Sequence, residues 1–407
     1  MLPIEIPRLE NIEEIDIQNV DAEKIRKYVG KYVPRKVLVI GNGFDLAHDL
    51  LTSYDDFLLI MKDPDEFFRY YEHDVCHKAI SGVYDANNVW KRHLEATNQG
   101  CEEYIQKMVE ILRNNSWAYY YANCNAEING WIDFEREINP VIEMFNDIIS
   151  NGSQHVGSGN KDYAIVRIED IGKNRIAKLW PKYIKAVNSF KDINQGIGIT
   201  VESEYSDKQY GVIAGKLVKD LKSDLDEFVE AFRLYLDAFV ENRHDIEPKS
   251  LFESMDVSDI INFNYTNTAY YYHMSLRNAT RHFVHGSTLN KDSEKMVFGV
   301  NSVDRDAEYR FKEFEKRYQR LCNNIKQSYY RIIDEGNYEL FFYGHSMDIS
   351  DKSILEPLIR GAKRSTIYCY TDGDGYSNHN KIINNLMMLL SDDDADAMLR
   401  NDKIVLK

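Results

Sequence analysis

Residues 36–51 read KVLVIGNGFDLAHDLL, and the fold turns on how this stretch is understood. Val37 to Ile40 form a short unbroken apolar run that stops at Gly41, Asn42 and Gly43, after which the apolar spacing becomes helical. A continuous apolar run closed by glycines is the pattern of a strand buried on both faces of a parallel sheet, here followed by a turn and a helix. Glycines at the carboxyl end of such a strand let backbone N–H groups approach an anionic phosphate or a sugar. A plain tight turn would need the same glycines. Leu46 stands where the dinucleotide fingerprint has its third glycine, and Asp45 puts a carboxylate where a pyrophosphate prefers none, which implies ribose contact or helix capping.

Outward from this stretch, Ser53 opens S-Y-D-D ahead of Phe57, Leu58, Leu59 and Ile60, an N-cap pattern that starts a helix. The chain then reads as mostly helical to about residue 250. EEYIQKMVEILRNN puts Tyr104, Met108, Ile111 and Leu112 on one face, and residues 216–242 space Leu217, Leu221, Leu225, Phe228, Phe232, Leu236 and Phe239 by threes and fours. Two polar, glycine-bearing segments, 151–160 and 192–209, read as exposed loops with a short hairpin between them.

Strand-like runs resume after residue 257 with DIINFNYT, RHFVHGS, KMVFGV, ELFFYGHS and STIYCYT, and a long helix is expected over about 307–333. The spacing predicts an α/β fold with a Rossmann-like, mostly parallel sheet built from residues 36–60 and 257–407. A lead-in arm (1–35) precedes it and a mainly helical insertion (61–256) interrupts it.

The polar residues that follow these runs are the candidates for chemistry, because open α/β sheets place ligands beyond the carboxyl ends of their strands. INFNYTNT offers Asn262, Asn264, Thr266, Asn267 and Thr268, which suit a sugar diol or a held water, or else close an Asx turn. VHGS offers His285 beside Gly286, an imidazole able to accept a proton at cellular pH, although a lone histidine is more often structural. His48, His273 and His345 compete with it, and His48, one turn into the first helix, suits a supporting place in the core. In FFYGHSMDISD, Gly344 permits close backbone approach, His345 and Ser346 follow it, and Ser346 or Asp348 is placed to cap the next helix. WIDFEREI brings Trp131, Asp133, Glu135 and Glu137, whose acids read best as a solvated or capping helix face.

Bulk properties narrow the function. With 66 Asp+Glu against 50 Lys+Arg the formal net charge is −16, which argues against a dedicated nucleic-acid binder, since phosphate backbones are held by Lys/Arg stripes. The 5 cysteines are scattered without a C-x-x-C pair, as expected in a reducing cytoplasm, and no metal site is expected. The N-terminus lacks the layout of a signal peptide, and no apolar run approaches the roughly 18–20 residues that span a bilayer.

In order, LVIGNGFDLAHDLLTSYDDF, WIDFE, FNYTNT, VHGS and FYGHSMDISD resemble the successive signatures of the AbiH family of abortive-infection proteins. The same succession is similar to the sirtuin-like domains of phage defence, which bind NAD and in many cases hydrolyse it. By that resemblance Gly41 and Gly43 match the glycine turn, Asn264 and His285 match the catalytic pair around the nicotinamide ribose, and Gly344 and Ser346 match residues that close over the nucleotide. Asn42, Phe44, Asp45, Thr266, Gly286 and His345 complete the expected ligand contacts. Asp45 departs from the small hydroxyl residue of the sirtuin pattern and Thr266 from its aspartate. With no zinc-binding cysteine module, protein deacetylation is not implied.

The resemblance implies a cytoplasmic anti-phage effector that hydrolyses NAD, its substrate, when infection supplies a phage-derived trigger. A homo-oligomer or a defence-system partner is left open. A second reading is a nucleotide-binding sensor or regulatory subunit without turnover. A third, a nuclease effector, is disfavoured by the acidic balance and the absence of a convincing metal-carboxylate cluster.

Overall fold

The computed structural model describes residues 33–77, 89–97, 100–124, 134–151, 154–158, 161–168, 171–189, 197–207, 211–241, 246–272, 276–289, 295–303, 305–370 and 377–407. The described strands are, in chain order, β1 (Arg35–Ile40), β2 (Gln154–Ser158), β3 (Lys161–Ile168), β4 (Ile184–Ser189), β5 (Ile197–Val201), β6 (Ser206–Asp207), β7 (Gly211–Val212), β8 (Asp259–Asn262), β9 (Thr280–Phe283), β10 (Tyr338–Tyr343), β11 (Arg364–Tyr368) and β12 (Ile404–Leu406).

Six of them form one all-parallel sheet in the order β12-β11-β10-β1-β8-β9. Counted along the chain, this order is 3-2-1-4-5-6 when read from the β9 edge. β1 is central and buried on both faces, as its unbroken apolar run requires. Val37 and Val39 enter one core with β10, β11 and the helices Lys352–Gly361 and His379–Leu390. Leu38 and Ile40 enter another with Phe44, Phe252 and Tyr272. Burying each such aliphatic side chain contributes about 1.5–3 kcal/mol, so β1 stabilises the cores on both faces of the sheet.

Adjacent strands β1 and β8 flank the long insertion, whose core is aromatic. Trp117 and Trp180 meet edge-to-face at 4.9 Å, and tyrosine hydroxyls are satisfied internally, Tyr183 on Asp224 at 2.9 Å and Tyr121 on the Phe134 carbonyl at 3.0 Å. The helix Ala214–Phe239 buries all seven apolar residues expected on its inner face. In the helix Glu102–Asn114 the buried face is Ile105, Met108, Val109 and Leu112, rotated from the one expected, with Tyr104 and Ile111 at its margins.

Two expectations are corrected. The two segments expected as loops contain β2 and β5, which with β3 and β4 between them form an antiparallel sheet β2-β3-β5-β4, because Ala164, Val166, Ile199 and Val201 supply an inward apolar face that packs on the insertion core. The long helix expected over 307–333 is instead Arg305–Phe311, Lys316–Cys322 and Tyr330–Glu335. It breaks at Glu315, where the backbone pairs with Val300: Val300 N–H donates to Phe314 O at 2.9 Å and Lys316 N–H to Val300 O at 2.7 Å. Among the described residues KMVFGV accordingly makes a single bridge and no strand, and Met296, Phe298, Phe311 and Phe314 join the core of the insertion. Among the described residues no helix is long and apolar enough to cross a membrane.

Candidate functional site

In a parallel sheet all carboxyl ends lie along one rim, so the turns after β1, β8, β9 and β10 are neighbours. The direction of winding reverses between β1 and β10, where the turns Gly41–Gly43 and Gly344–His345 pack backbone on backbone. Gly43 N–H donates to Gly344 O at 2.8 Å, and Gly41 N–H donates to Tyr343 O at 3.2 Å. A Cβ on Gly43 would lie 2.7 Å from Gly344 Cα, and one on Gly344 only 2.1 Å from Phe44 N. Gly344 also has φ +67°, so it is required twice over. The glycines of both motifs therefore bring the two turns together, and the Gly41, Gly43 and Phe44 N–H groups are all bonded within the protein.

Two hydrogen-bonded groups meet at Gly41. The first comes from the turn after β8. Asn264 donates its amide to Gly41 O at 3.0 Å, and its own N–H donates to Asn262 Oδ1 at 2.8 Å. Asn262 in turn donates to Thr266 O at 2.8 Å, so the Asx turn exists and serves to aim Asn264. Thr266 donates its hydroxyl to Asp45 Oδ2 in a short hydrogen bond. Burial pushes the Asp45 carboxyl up to about 6, against hydrogen bonds from Thr266, Thr268 and Asn264. Glu241, at the end of the helix Ala214–Phe239, accepts from Thr288 Oγ1 at 2.8 Å and from Asn267 N–H at 3.1 Å. Burial first, then Asp45 and Asp237, push it up to about 7 against those bonds.

The second group is built on Asp351. His285 Nε2 lies 3.0 Å from Asp351 Oδ1 and His345 Nε2 lies 3.9 Å from Oδ2. Lys316 Nζ lies 3.9 Å from Oδ1 and 2.9 Å from Glu135 Oε2. Gly41 touches this group as well, since a Cβ there would meet His345 Cα at 2.8 Å. Burial alone would raise Asp351, but Lys316 and the two imidazoles outweigh it and hold the carboxyl below the ordinary range. Burial pushes His285 down to about 4, with Lys316 and Arg320 adding and Asp351 opposing. Burial lowers His345 too, and its Nδ1 accepts from Met347 N–H at 3.0 Å. Asp45 Oδ1 and His285 Nδ1 are buried with no hydrogen-bond partner among the described residues.

Asn264 and His285 thus belong to different groups, the amide turned to Gly41 and the imidazole to Asp351, joined through the Gly41 turn and through Phe263, whose ring is 5.7 Å from His285 and 4.3 Å from His345. Asn42 is half-buried at the start of the short helix Asn42–Leu46. The Phe44 ring is core, 5.0 Å from Phe252, so only its backbone faces the turn. Gly286 turns the chain after His285 with φ +78°. Ser346 is exposed, and its carbonyl accepts from Asn385 at 2.7 Å. Asp348 is the cap, accepting from Ser350 N–H at 2.8 Å. His48 supports the core, bonded to Phe44 O and the Tyr272 hydroxyl. Trp131, Asp133 and His273 lie outside the described residues.

Glu135 is not the solvated helical acid the spacing suggests, because Lys316, 4% exposed, needs a counter-charge. Sequence reasoning missed Lys316 and Glu241, both of which sit in ordinary charged helical patterns. A cavity of about 470 Å³ opens next to the site between the helices Ala214–Phe239 and Lys316–Cys322, reaching Ser287. Its charged lining is balanced, Lys222, Arg233 and Lys295 against Asp226, Glu230 and Glu313, so it offers no strong attraction to an anion.

No curated protein and no solved structure matches the chain. The profile of the family described as bacteriophage abortive infection AbiH matches residues 37–371, which takes in both turns at the winding reversal, Asn264, His285 and Asp351. With that match running over most of its length, the chain belongs to the AbiH family.

Proposed function

We propose that this AbiH protein cleaves the bond between nicotinamide and ribose in NAD, on a Rossmann-like core of sirtuin type, and that loss of NAD halts the infected cell. The role in abortive infection against phage comes with the family. One observation carries the enzymatic reading: an asparagine aimed at Gly41 and, across the Phe263 ring, a neutral His285 stand at neighbouring strand ends beside the reversal of a 3-2-1-4-5-6 sheet.

The chemistry asks little of a general acid. As the glycosidic C–N bond breaks, its electron pair returns to the pyridinium ring and nicotinamide leaves neutral. Water adds to the oxocarbenium-like carbon, and its proton passes to His285 and then to solvent. The products are nicotinamide, ADP-ribose and a proton. Asn264, whose amide nitrogen is held by Gly41 O and by the Asp45 carboxyl, presents its side-chain oxygen to the ribose or the water. The Gly41–Gly43 turn lies along the phosphates as a close backbone surface; its three internally bonded N–H groups do not form an open cradle.

The test is NAD loss, followed with purified protein and in cells during infection, for the wild type, Asn264→Ala and His285→Ala. Loss confined to the wild type supports the reading, and equal rates for all three remove it. One observation favours a nucleotide sensor without turnover. Asp45 and Thr266, the departures from the sirtuin pattern, bond to each other, leaving neither as a free catalytic group. Tight stoichiometric NAD binding with no nicotinamide released would select the sensor.

A further inference from the structure

His285 has an unusual set of neighbours. Its Nε2 faces a carboxylate at 3.0 Å, while its Nδ1 is buried without a partner among the described residues. Leaving a buried polar atom unpaired costs about 1–3 kcal/mol and is uncommon in folded proteins, so such an atom asks for an explanation. His282 supplies the contrast. It makes the same 3.0 Å contact with Asp259 at the opposite rim of the sheet, yet its Nδ1 is taken by Ser328 Oγ at 2.7 Å. His282 is therefore a fully bonded structural residue. His93 differs as well: its Nε2 faces the Tyr235 hydroxyl at 3.2 Å rather than a carboxylate, and the Asp56 backbone hydrogen-bonds its ring.

We propose that Asp351 is the positioning residue of the site: it accepts the hydrogen bond of His285 Nε2–H and so leaves Nδ1 of the same ring as the proton acceptor, while Lys316, lying between Asp351 and Glu135, ties this arrangement to the inserted segment that carries Glu135. The proposal rests on the NAD-cleaving reading and deepens it. A neutral imidazole carries one proton, and a carboxylate beside Nε2 decides which nitrogen holds it. Lys316 keeps the carboxylate ionised, and burial, with Lys316 and Arg320 adding to it, keeps the imidazole uncharged, so Nδ1 has its lone pair available. When water or a ribose hydroxyl yields its proton to Nδ1, the imidazolium that forms is stabilised by Asp351 through the existing Nε2–H bond. The proton then passes to solvent and the ring returns to its starting tautomer. His345 is unsuited to the task, because its Nδ1 already accepts from Met347 N–H.

The experiment reads the tautomer directly, by nitrogen NMR of the full chain labelled in its histidine rings, with His285→Gln to assign the signals. At pH 7 the wild type is expected to show His285 protonated on Nε2 alone. Asp351→Asn is expected to bring up an Nδ1–H form, and to lower kcat for NAD while leaving KM nearly unchanged. Lys316→Met is expected to raise the titration midpoint of His285 by about one pH unit. A wild-type ring protonated on Nδ1, or doubly protonated, would overturn the assignment, as would an Asp351→Asn spectrum identical to the wild type. Because the tautomer is read without substrate, a wild type with the expected ring but no NAD turnover removes the NAD reading and leaves the dyad standing.

Discussion

Asn264 donates its side-chain amide to the carbonyl of Gly41 at 3.0 Å, across 223 positions of chain. This bond fastens the turn after β8 to the turn after β1, and it fixes the one side chain that the proposed chemistry needs beside the ribose.

Replacing Asn264 by Ala is therefore expected to act on stability as well as activity, but not severely. Gly41 O also accepts from Phe44 N–H at 2.8 Å, so the carbonyl keeps one donor. The loss should be about 1 kcal/mol, the typical net worth of a hydrogen bond. Urea unfolding checks this. A loss above about 4 kcal/mol would mean that the amide supports more of the core than this bond.

Two glycines with nearly the same backbone angle separate strain from crowding. Gly336 has φ +64° and open space, with nothing within 4 Å of where a Cβ would stand, whereas Gly344 has φ +67° and backbone at 2.1 Å. Gly336→Ala should cost about 1–3 kcal/mol, the strain of its positive φ with extended ψ alone. Gly344→Ala should cost clearly more, since the turns after β1 and β10 must part. Equal unfolding midpoints for the two variants would contradict the packing of these turns.

Asp45 should impose a pH dependence on stability. Its folded pKa of about 6 lies above the ordinary value of 3.8, so the protonated form is favoured by folding. The stability this contributes is complete below about pH 4 and is lost as pH rises through 6, a change of about 3 kcal/mol. Asp45→Asn keeps an acceptor for Thr266 and removes the titration. Relative to wild type the variant should gain stability between pH 4 and 7; parallel curves across that range would refute the burial of this carboxyl.

His285 should act with the opposite sign. Its folded pKa of about 4 lies below the ordinary 6.5, so folding favours the neutral ring. That contribution is complete above pH 6.5 and is lost as pH falls through 4, again about 3 kcal/mol. Denaturant unfolding of His285→Gln against wild type over pH 4–7 measures it. A difference that does not change with pH would show the ring to be exposed to water.

Much of the frame was legible locally. The unbroken run Val37–Ile40 reads as a doubly buried strand and the threes and fours of Leu217 to Phe239 as one long amphipathic helix, and both are so. Other elements were not legible, for physical reasons. β2 and β5 carry glycine and polar residues that resemble loops, and they become strands because pairing with β3 gives their backbone partners and, for β5, the insertion core accepts Ile199 and Val201. The break at Glu315 comes from a backbone bridge to Val300, which no helical periodicity anticipates.

Sequence alone determined that the runs ending before Gly41, Asn264, His285 and Gly344 become strands, and therefore which polar residues stand at their carboxyl ends: Gly41 to Asp45, Asn264 to Thr266, His285 and Gly344 to Ser346. Only the tertiary structure decided what those residues do there. It turned the glycines toward each other's backbone, set Thr266 on Asp45 across 221 positions, and gave His285 a carboxylate 66 positions away. The reason is that pairing and burial set the charge state of a side chain, and both depend on neighbours brought together through space, which no local pattern of residues records.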